Sequence, residues 1–214
     1  MPAPSSIQQK TNMSAKQSDY PQQVSAVETA TILELLESTI TANVPGDVVE
    51  FGCYKGDTSI LLQKLLHSTG TTAEAKTLWL YDSFEGLPPK TAEDASVAGD
   101  SFKAGELFVT KREVVAKFKK AGLRVPRIKK AFFEDLLDQD LPPQISFAFL
   151  DGDLYGSIKT SLALVTPRLT PGAIIVVHDY NNPELPGSAK AVDEYLRNHP
   201  TKKLAQKATL AIIR

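Results

Sequence analysis

The sequence predicts an α/β fold built on a parallel, doubly wound sheet. Three observations carry that prediction. Short apolar strand patterns alternate with helical patterns at the rhythm of βαβ units. A glycine-bearing loop follows the first strand and opens a helix, in the stretch DVVEFGCYKGDTS from Asp47 to Ser59. Four strands end in or just before a carboxylate, at Glu50, Asp82, Asp151 and Asp179. In open α/β sheets ligands bind outside the carboxyl ends of the strands, so these acids share the rim where a ligand would sit.

Bulk properties set the frame. A chain of 214 residues is long enough for one domain with a full core. Apolar residues make up 42% and charged residues 23%, as in ordinary globular proteins. A net charge of −1 gives no sign of a nucleic-acid or polyanion surface, and no nucleic-acid partner is expected. The single cysteine, Cys53, excludes an internal disulfide framework and a cysteine-rich zinc site, and suits a reducing, cytoplasmic setting. No apolar run approaches a membrane span, and the N-terminus lacks an apolar signal core, so no membrane partner is expected.

Residues 1–23, rich in Ser, Gln, Thr and Pro, are expected to form a flexible tail, and residues 24–214 a single domain. Ser25-Ala-Val-Glu28 fits a capping box, and Ala26, Ala30, Leu33, Leu36 and Ile40 continue at helical spacing. Pro45-Gly46 stops that helix before the strand at Asp47. After the glycine loop a helix is expected from about Ser59, carrying Ile60, Leu61, Leu65 and Leu66 and ending between His67 and Gly70. Thr77 to Asp82 reads as the second strand, and Ser83 to Pro89 as a turn-rich loop. Ala92 to Gly105 is polar and irregular, the composition of a lid.

Thr110-Lys-Arg-Glu113 is a second capping box, followed by the stripe Val114, Phe118 and Ala121, with Gly122 as the stop. Arg127 to Phe133 reads as a strand too basic for the middle of a sheet, so it belongs towards an edge. Ile145 to Asp151 is the clearest buried strand. A helix with Ile158, Leu162 and Val165 follows, closed by Pro167. Leu169 to Gly172 reads as a turn, Ala173 to Asp179 as the fifth strand, and Ser188 as the cap of a helix carrying Val192, Tyr195 and Leu196. Lys203 to Ile213 supplies one or two final strands.

The loop spacing narrows the ligand. G-x-x-x-G is neither the G-x-G-x-x-G of nicotinamide binding nor a P-loop. Glu50 ahead of the loop would repel a pyrophosphate, and suits a ligand with a cationic amine and a sulfonium. An acid at the end of the second strand, here Asp82, commonly accepts from both hydroxyls of a ribose. Glu50, the loop and Asp82 therefore stand in the order needed for the amine, carboxylate and ribose of S-adenosylmethionine. Asp151, Asp153 and Asp179, with His178, form a second group. Hard oxygen ligands suit Mg²⁺ or a similar divalent cation, and an imidazole tolerates a softer metal. Such an ion would lower the pKa of a substrate hydroxyl; a free carboxylate would instead take its proton as general base.

The motifs VEFGCYKGDTS, YDSFEGLP, FLDGDLYGS, LTPGAIIVVHDY and GSAKAVDEYL, in this order between Val24 and Leu196, resemble the macrocin-type (TylF-like) O-methyltransferases. The resemblance implies a Rossmann-like S-adenosylmethionine methyltransferase fold of about seven strands with an antiparallel C-terminal strand. It implies S-adenosylmethionine and a divalent cation as cofactors, and a hydroxyl of a small natural-product molecule, such as a sugar, as acceptor. Cofactor roles fall to Glu50, Gly52, Gly56, Ser59 and Asp82, and Cys53, Tyr54, Ser83, Phe132 and Asp151 are further candidate contacts. Metal ligation falls to Asp151 and Asp179, and the role of base to Asp153. Two departures stand out. Known members carry Asp-Asp-Tyr where this chain has His178-Asp179-Tyr180, which makes His178 both a candidate metal ligand and a candidate base. Ala131 replaces a frequent glycine near the adenine pocket, with Phe132 or Phe133 placed to flank the ring. Two alternatives stay open: a metal-independent methyltransferase with His178 or Asp153 as base, and a non-catalytic S-adenosylmethionine- or nucleoside-binding module. The tail and first helix would serve a homodimer.

Overall fold

The computed structural model describes residues 23–69, 76–99 and 101–214. The tail expected over residues 1–23 lies, apart from Gln23, outside the described residues, as does Gly70. In chain order the regular elements are α1 (Ala26–Thr41), β1 (Asp47–Phe51), α2 (Asp57–Thr69), β2 (Leu78–Asp82), α3 (Lys111–Lys120), β3 (Arg127–Lys130), β4 (Ile145–Leu150), α4 (Tyr155–Val165), β5 (Leu169–Val177), α5 (Pro186–Asn198), β6 (Leu204–Lys207) and β7 (Leu210–Ile213). Short 3₁₀ turns interrupt the connections at Ala92–Asp94, Phe133–Asp135, Asp138–Asp140 and Thr166–Arg168.

The strands form one seven-stranded sheet in the order β3-β2-β1-β4-β5-β7-β6. The five strands β3, β2, β1, β4 and β5 pair in parallel, and β7 runs antiparallel to both β5 and β6. The expected doubly wound sheet with an antiparallel C-terminal strand is what the chain builds. The order reverses between β1 and β4, and their carboxyl ends carry Glu50 and Asp151.

Strand periodicity decides which helix covers which face. Side chains alternate across a sheet, so Val48, Leu80, Phe147, Phe149 and Val176 face α1, α2 and α3, and pack with Ile32, Leu36, Leu62, Val114 and Phe118. Val49, Phe51, Tyr81, Leu150 and Val177 face α4 and α5, and pack with Ile158, Leu162, Val192 and Tyr195. Both faces are covered, which is why β4 is buried at all six positions and reads as an unbroken apolar run. The same alternation points Glu50, Asp82, Asp151 and His178 to the α1–α3 side, each two residues beyond a core side chain of that side.

The caps at Ser25 and Thr110 form as expected, each a complete capping box. Gly122 takes a left-handed φ of +66° just past α3. β3 is an edge strand, as its charge implied, but it ends at Lys130; Phe133 turns away into a 3₁₀ turn because its ring packs on Phe51 in the core. Two other expectations need correction. Leu169 to Gly172 is not a turn but the start of β5. Leu169 pairs with Ile145, and the chain bulges at Pro171-Gly172 before Ile174 pairs with Phe147. Ser188 does not cap α5. Pro186 opens that helix, and the Ser188 hydroxyl lies within its first turn, donating to His178 O at 2.9 Å. No helix among the described residues is long and apolar enough to cross a membrane.

Candidate functional site

A cleft opens at the carboxyl ends of β1, β2 and β4, the edge where ligands bind in open α/β sheets. Gly52, Tyr54, Asp82, Ser83, Phe132, Asp151 and Asp153 line it. Leu87, Pro88 and Leu107 add an apolar part to the lining.

The glycine loop fits here only with glycine at Gly52. Its φ is +84°, and a Cβ would stand 1.9 Å from the Asp151 carbonyl oxygen. Two backbone bonds fix this approach: Gly52 N–H donates to Tyr81 O and Asp151 N–H to Phe51 O, both at 2.8 Å. The loop then wraps around Asp82. Cys53 N–H and Tyr54 N–H both donate to Asp82 Oδ2 at 3.0 Å, and Phe84 N–H donates to Oδ1 at 2.8 Å. A carboxylate has about four acceptor sites, so three bonds leave Asp82 capacity towards the cleft that it lines.

Behind the loop, Glu50 is 1% exposed and Ser59 fully buried. Glu50 Oε2 and Ser59 Oγ make no hydrogen bond. Such orphaned atoms are costly and rare. Burial pushes the Glu50 carboxyl up to about 8. The nearby Ser59 hydroxyl opposes this without closing a bond, and the charges of Asp151 and Asp82 add to it.

The second group gathers at the ends of β4 and β5. His178 Nδ1 stands 2.9 Å from Asp151 Oδ1 and 3.0 Å from Asp179 Oδ2. Burial pulls the imidazole towards neutrality, but the charges and hydrogen bonds of Asp151 and Asp179 outweigh it and raise His178 to about 12. The two acids thus favour the protonated ring. Asp151, also desolvated, is raised by burial, with His178 opposing. Asp153 is pushed well up, first by burial and then by the charges of Asp151 and Asp179. Asp153 and Asp179 both take left-handed φ values, +59° and +60°, a conformation that aspartate tolerates better than most residues.

Of the residues read from the sequence, Gly52, Tyr54, Asp82, Ser83, Phe132, Asp151 and Asp153 line the cleft together. Glu50, Cys53, Gly56 and Ser59 sit one layer behind it, in the loop and the start of α2. His178 and Asp179 also stand outside the lining, although within reach of Asp151.

Two residues were not singled out. Glu28 was read only as half of a capping box, yet it is 4% exposed and its Oε2 lies 3.6 Å from His178 Nε2. Hydrogen bonds from Ser25 and Thr209 overcome the upward push of burial and hold it at about 2. Asp94, in the polar loop after β2, is 1% exposed. The pattern Thr91-x-x-Asp94 was the available signal for it, since a hydroxyl three residues before an acid marks a cap.

A model of the family described as Macrocin-O-methyltransferase (TylF) matches residues 7–208. The chain is 33% identical over 150 residues, 68% of its length and 57% of the relative's, to the 8-demethyl-8-(2,3-dimethoxy-alpha-L-rhamnosyl)-tetracenomycin-C 4'-O-methyltransferase of Streptomyces olivaceus. It is 32% identical over 171 residues, 77% of its length and 63% of the relative's, to the demethyldecarbamoylnovobiocin O-methyltransferase of Streptomyces niveus. The chain thus spans about three fifths of the length of these curated relatives. Among solved structures, the O-methyltransferase NovP aligns with a TM-score of 0.74 at 28% identity, over 86% of this chain and 77% of that one. The calicheamicin methyltransferase CalS11 shares the fold, with a TM-score of 0.71 at 20% identity, over 89% of this chain and 80% of that one.

Proposed function

The chain belongs to the macrocin-O-methyltransferase (TylF) family, and from that premise we propose that it transfers a methyl group from S-adenosylmethionine to a hydroxyl of a small molecule, of sugar or other natural-product type. The observation that carries the reading is the orphaned pair Glu50 Oε2 and Ser59 Oγ, buried behind a glycine loop wrapped around Asp82. A buried acid without a partner suits a ligand that brings a positive charge.

S-adenosylmethionine, when bound, supplies an electrophilic methyl group on a sulfonium. The residues of the chain do the rest. Glu50 offsets the positive charge of the amine. Gly52 and Tyr54 let the ligand lie against the backbone. Asp82 accepts from the ribose hydroxyls with its remaining capacity, and Phe132 offers an apolar wall for the purine. Asp153, which lines the cleft, accepts the acceptor's hydroxyl proton. Much of the acceleration comes from holding the two reactants together.

The donor set fits a divalent cation. One ligand atom each from Asp151, His178 and Asp179 lies within 4.8 Å of the others. Two carboxylates and an imidazole suit a transition-type ion better than Mg²⁺. Held by these three residues, such an ion would lower the pKa of an acceptor hydroxyl. The charged His178 favours a second reading, transfer without a metal, because the ring already places a cation between the two acids. In either case His178 stands outside the cleft lining with its Nδ1 engaged between Asp151 and Asp179, and we assign the role of base to Asp153, which lines the cleft. The partner is a small-molecule hydroxyl acceptor.

Calorimetric titration with S-adenosylhomocysteine, with and without Mn²⁺ or Mg²⁺, tests the reading. Micromolar binding is the expected result, and no binding at millimolar ligand would overturn it. Activity that survives chelation would select the metal-independent route. In the same titration Asp82→Ala is expected to weaken binding by about 1–3 kcal/mol, roughly 5- to 150-fold. Unchanged affinity would remove Asp82 from the site.

A further inference from the structure

The polar loop after β2 is fastened at the mouth of the cleft through one buried acid. Asp94 Oδ2 accepts from Thr91 N–H and Thr91 Oγ1–H, both at 2.9 Å, which closes a local turn. Its other oxygen, Oδ1, leaves the loop and accepts from Tyr155 N–H at 2.7 Å, 61 residues away. Tyr155 opens α4, and the residue at the usual capping position, Leu154, has no side chain able to do that work. Asp94 therefore caps α4 from a different segment, and its negative charge meets the positive end of that helix.

The helix so capped starts directly after Asp151-Gly152-Asp153. That turn is tight. Asp153 has a φ of +59°, and Leu154 N–H donates to Gly152 O at 2.6 Å. Gly152 is wedged, since a Cβ there would meet Ser157 Cβ at 2.9 Å and the Phe133 ring at 3.0 Å. On its far side Asp94 is packed just as closely: a Cβ on Gly187 would stand 2.0 Å from Asp94 Oδ1. Further along, the Ser96 hydroxyl donates to Pro183 O at 2.7 Å, and Lys190 Nζ lies 3.6 Å from Glu93 Oε1. The loop thus bridges the segments that follow β4 and β5, and Leu87 and Pro88, in the turn that leads into it, line the cleft.

We propose that Asp94 is a positioning residue for Asp153: the loop that walls the cleft caps α4 in trans, and so holds the turn that aims the Asp153 carboxyl into the cleft. The inference rests on the reading of Asp153 as the base. Its test uses no turnover, so that reading and this inference fail separately.

The probe is the nuclear magnetic resonance spectrum of the full chain saturated with S-adenosylhomocysteine. The φ-sensitive amide couplings and shifts of Gly152, Asp153 and Tyr155 report the turn. In Asp94→Ala these signals are expected to move or broaden and Asp153 to lose its positive-φ signature. Signals of Gly52 to Gly56 should stay in place, and ligand affinity should hold within about twofold. Asp94→Asn, which retains an acceptor for Tyr155 N–H, should restore most of the native pattern. Unmoved signals at Gly152 and Asp153 would overturn the proposal. So would equal movement across the whole β1 loop, which would mark Asp94 as general scaffolding. Should Asp94→Ala not fold, Thr91→Val decides, because it removes one exposed hydroxyl that donates to Asp94 Oδ2 and leaves the Asp94 side chain in place. The same local movement supports the proposal, and its absence overturns it.

Discussion

Asp153→Asn is expected to lower methyl transfer by about 10²- to 10⁴-fold, the usual contribution of a positioned base, while S-adenosylhomocysteine affinity stays within about twofold. Asparagine is nearly the same size and tolerates the left-handed conformation at φ +59°, so the turn survives. It also retains a hydrogen-bond acceptor for the substrate hydroxyl. What it loses is the ability to take a proton. The location makes that loss decisive: Asp153 is 8% exposed and lines the cleft. Asp151 also lines the cleft, but its Oδ1 is engaged by His178. Single-turnover transfer of a labelled methyl group, at saturating cofactor, measures the effect. A loss smaller than tenfold would take the role of base away from Asp153.

The second large effect is a pH dependence of stability that belongs to Glu50. Its carboxyl is raised from 4.5 to about 8 in the folded chain, mainly by burial. Below about pH 4.5 both the folded and unfolded chains hold the proton, and the buried neutral acid costs nothing extra. Between 4.5 and about 8 the folded chain holds the proton and the unfolded chain does not, so stability falls as the pH rises. Above about 8 the full loss is in place. At about 1.4 kcal/mol per pH unit, this amounts to on the order of 5 kcal/mol. Glu50→Gln should abolish this slope, so its melting temperature should overtake that of the native chain as the pH rises from 5 to 9. Parallel melting curves would show that Glu50 does not carry the effect. A cationic ligand should reverse the loss by drawing the proton off. Titration of S-adenosylhomocysteine at pH 7 in two buffers of different ionisation heat should therefore show proton release.

Much of this arrangement is local and so was readable from the sequence. The capping boxes at Ser25 and Thr110, the acids at the strand ends and the basic edge strand each follow from residues near one another. Pro171-Gly172 misled because a bulge and a turn use the same residues, and only the register against β4 tells them apart. Ser188 looked like a cap because a hydroxyl before an apolar stripe often is one, but Pro186 had already opened the helix. The deeper misses are long-range. Glu28 meets Thr209 across 181 positions, and Asp94 meets Tyr155 across 61. Nothing near Glu28 says that its carboxylate will end up beside an imidazole from β5. That contact exists only once α1 has packed on the α1–α3 face of the sheet, where alternation along β5 has also placed His178.

Both margins of the sheet are four-residue strands, and both are charged. β3 carries Arg127, Lys129 and Lys130, with the Arg127 guanidinium stacked 4.5 Å above the Trp79 ring. β6 ends in Lys207, and three of its four residues are exposed. Short, lysine-bearing margins resist the addition of a further strand. Self-association that continued the sheet from one subunit into the next would bring like charges together at β3 and gain only a few backbone bonds. These margins thus end the sheet of this chain at seven strands.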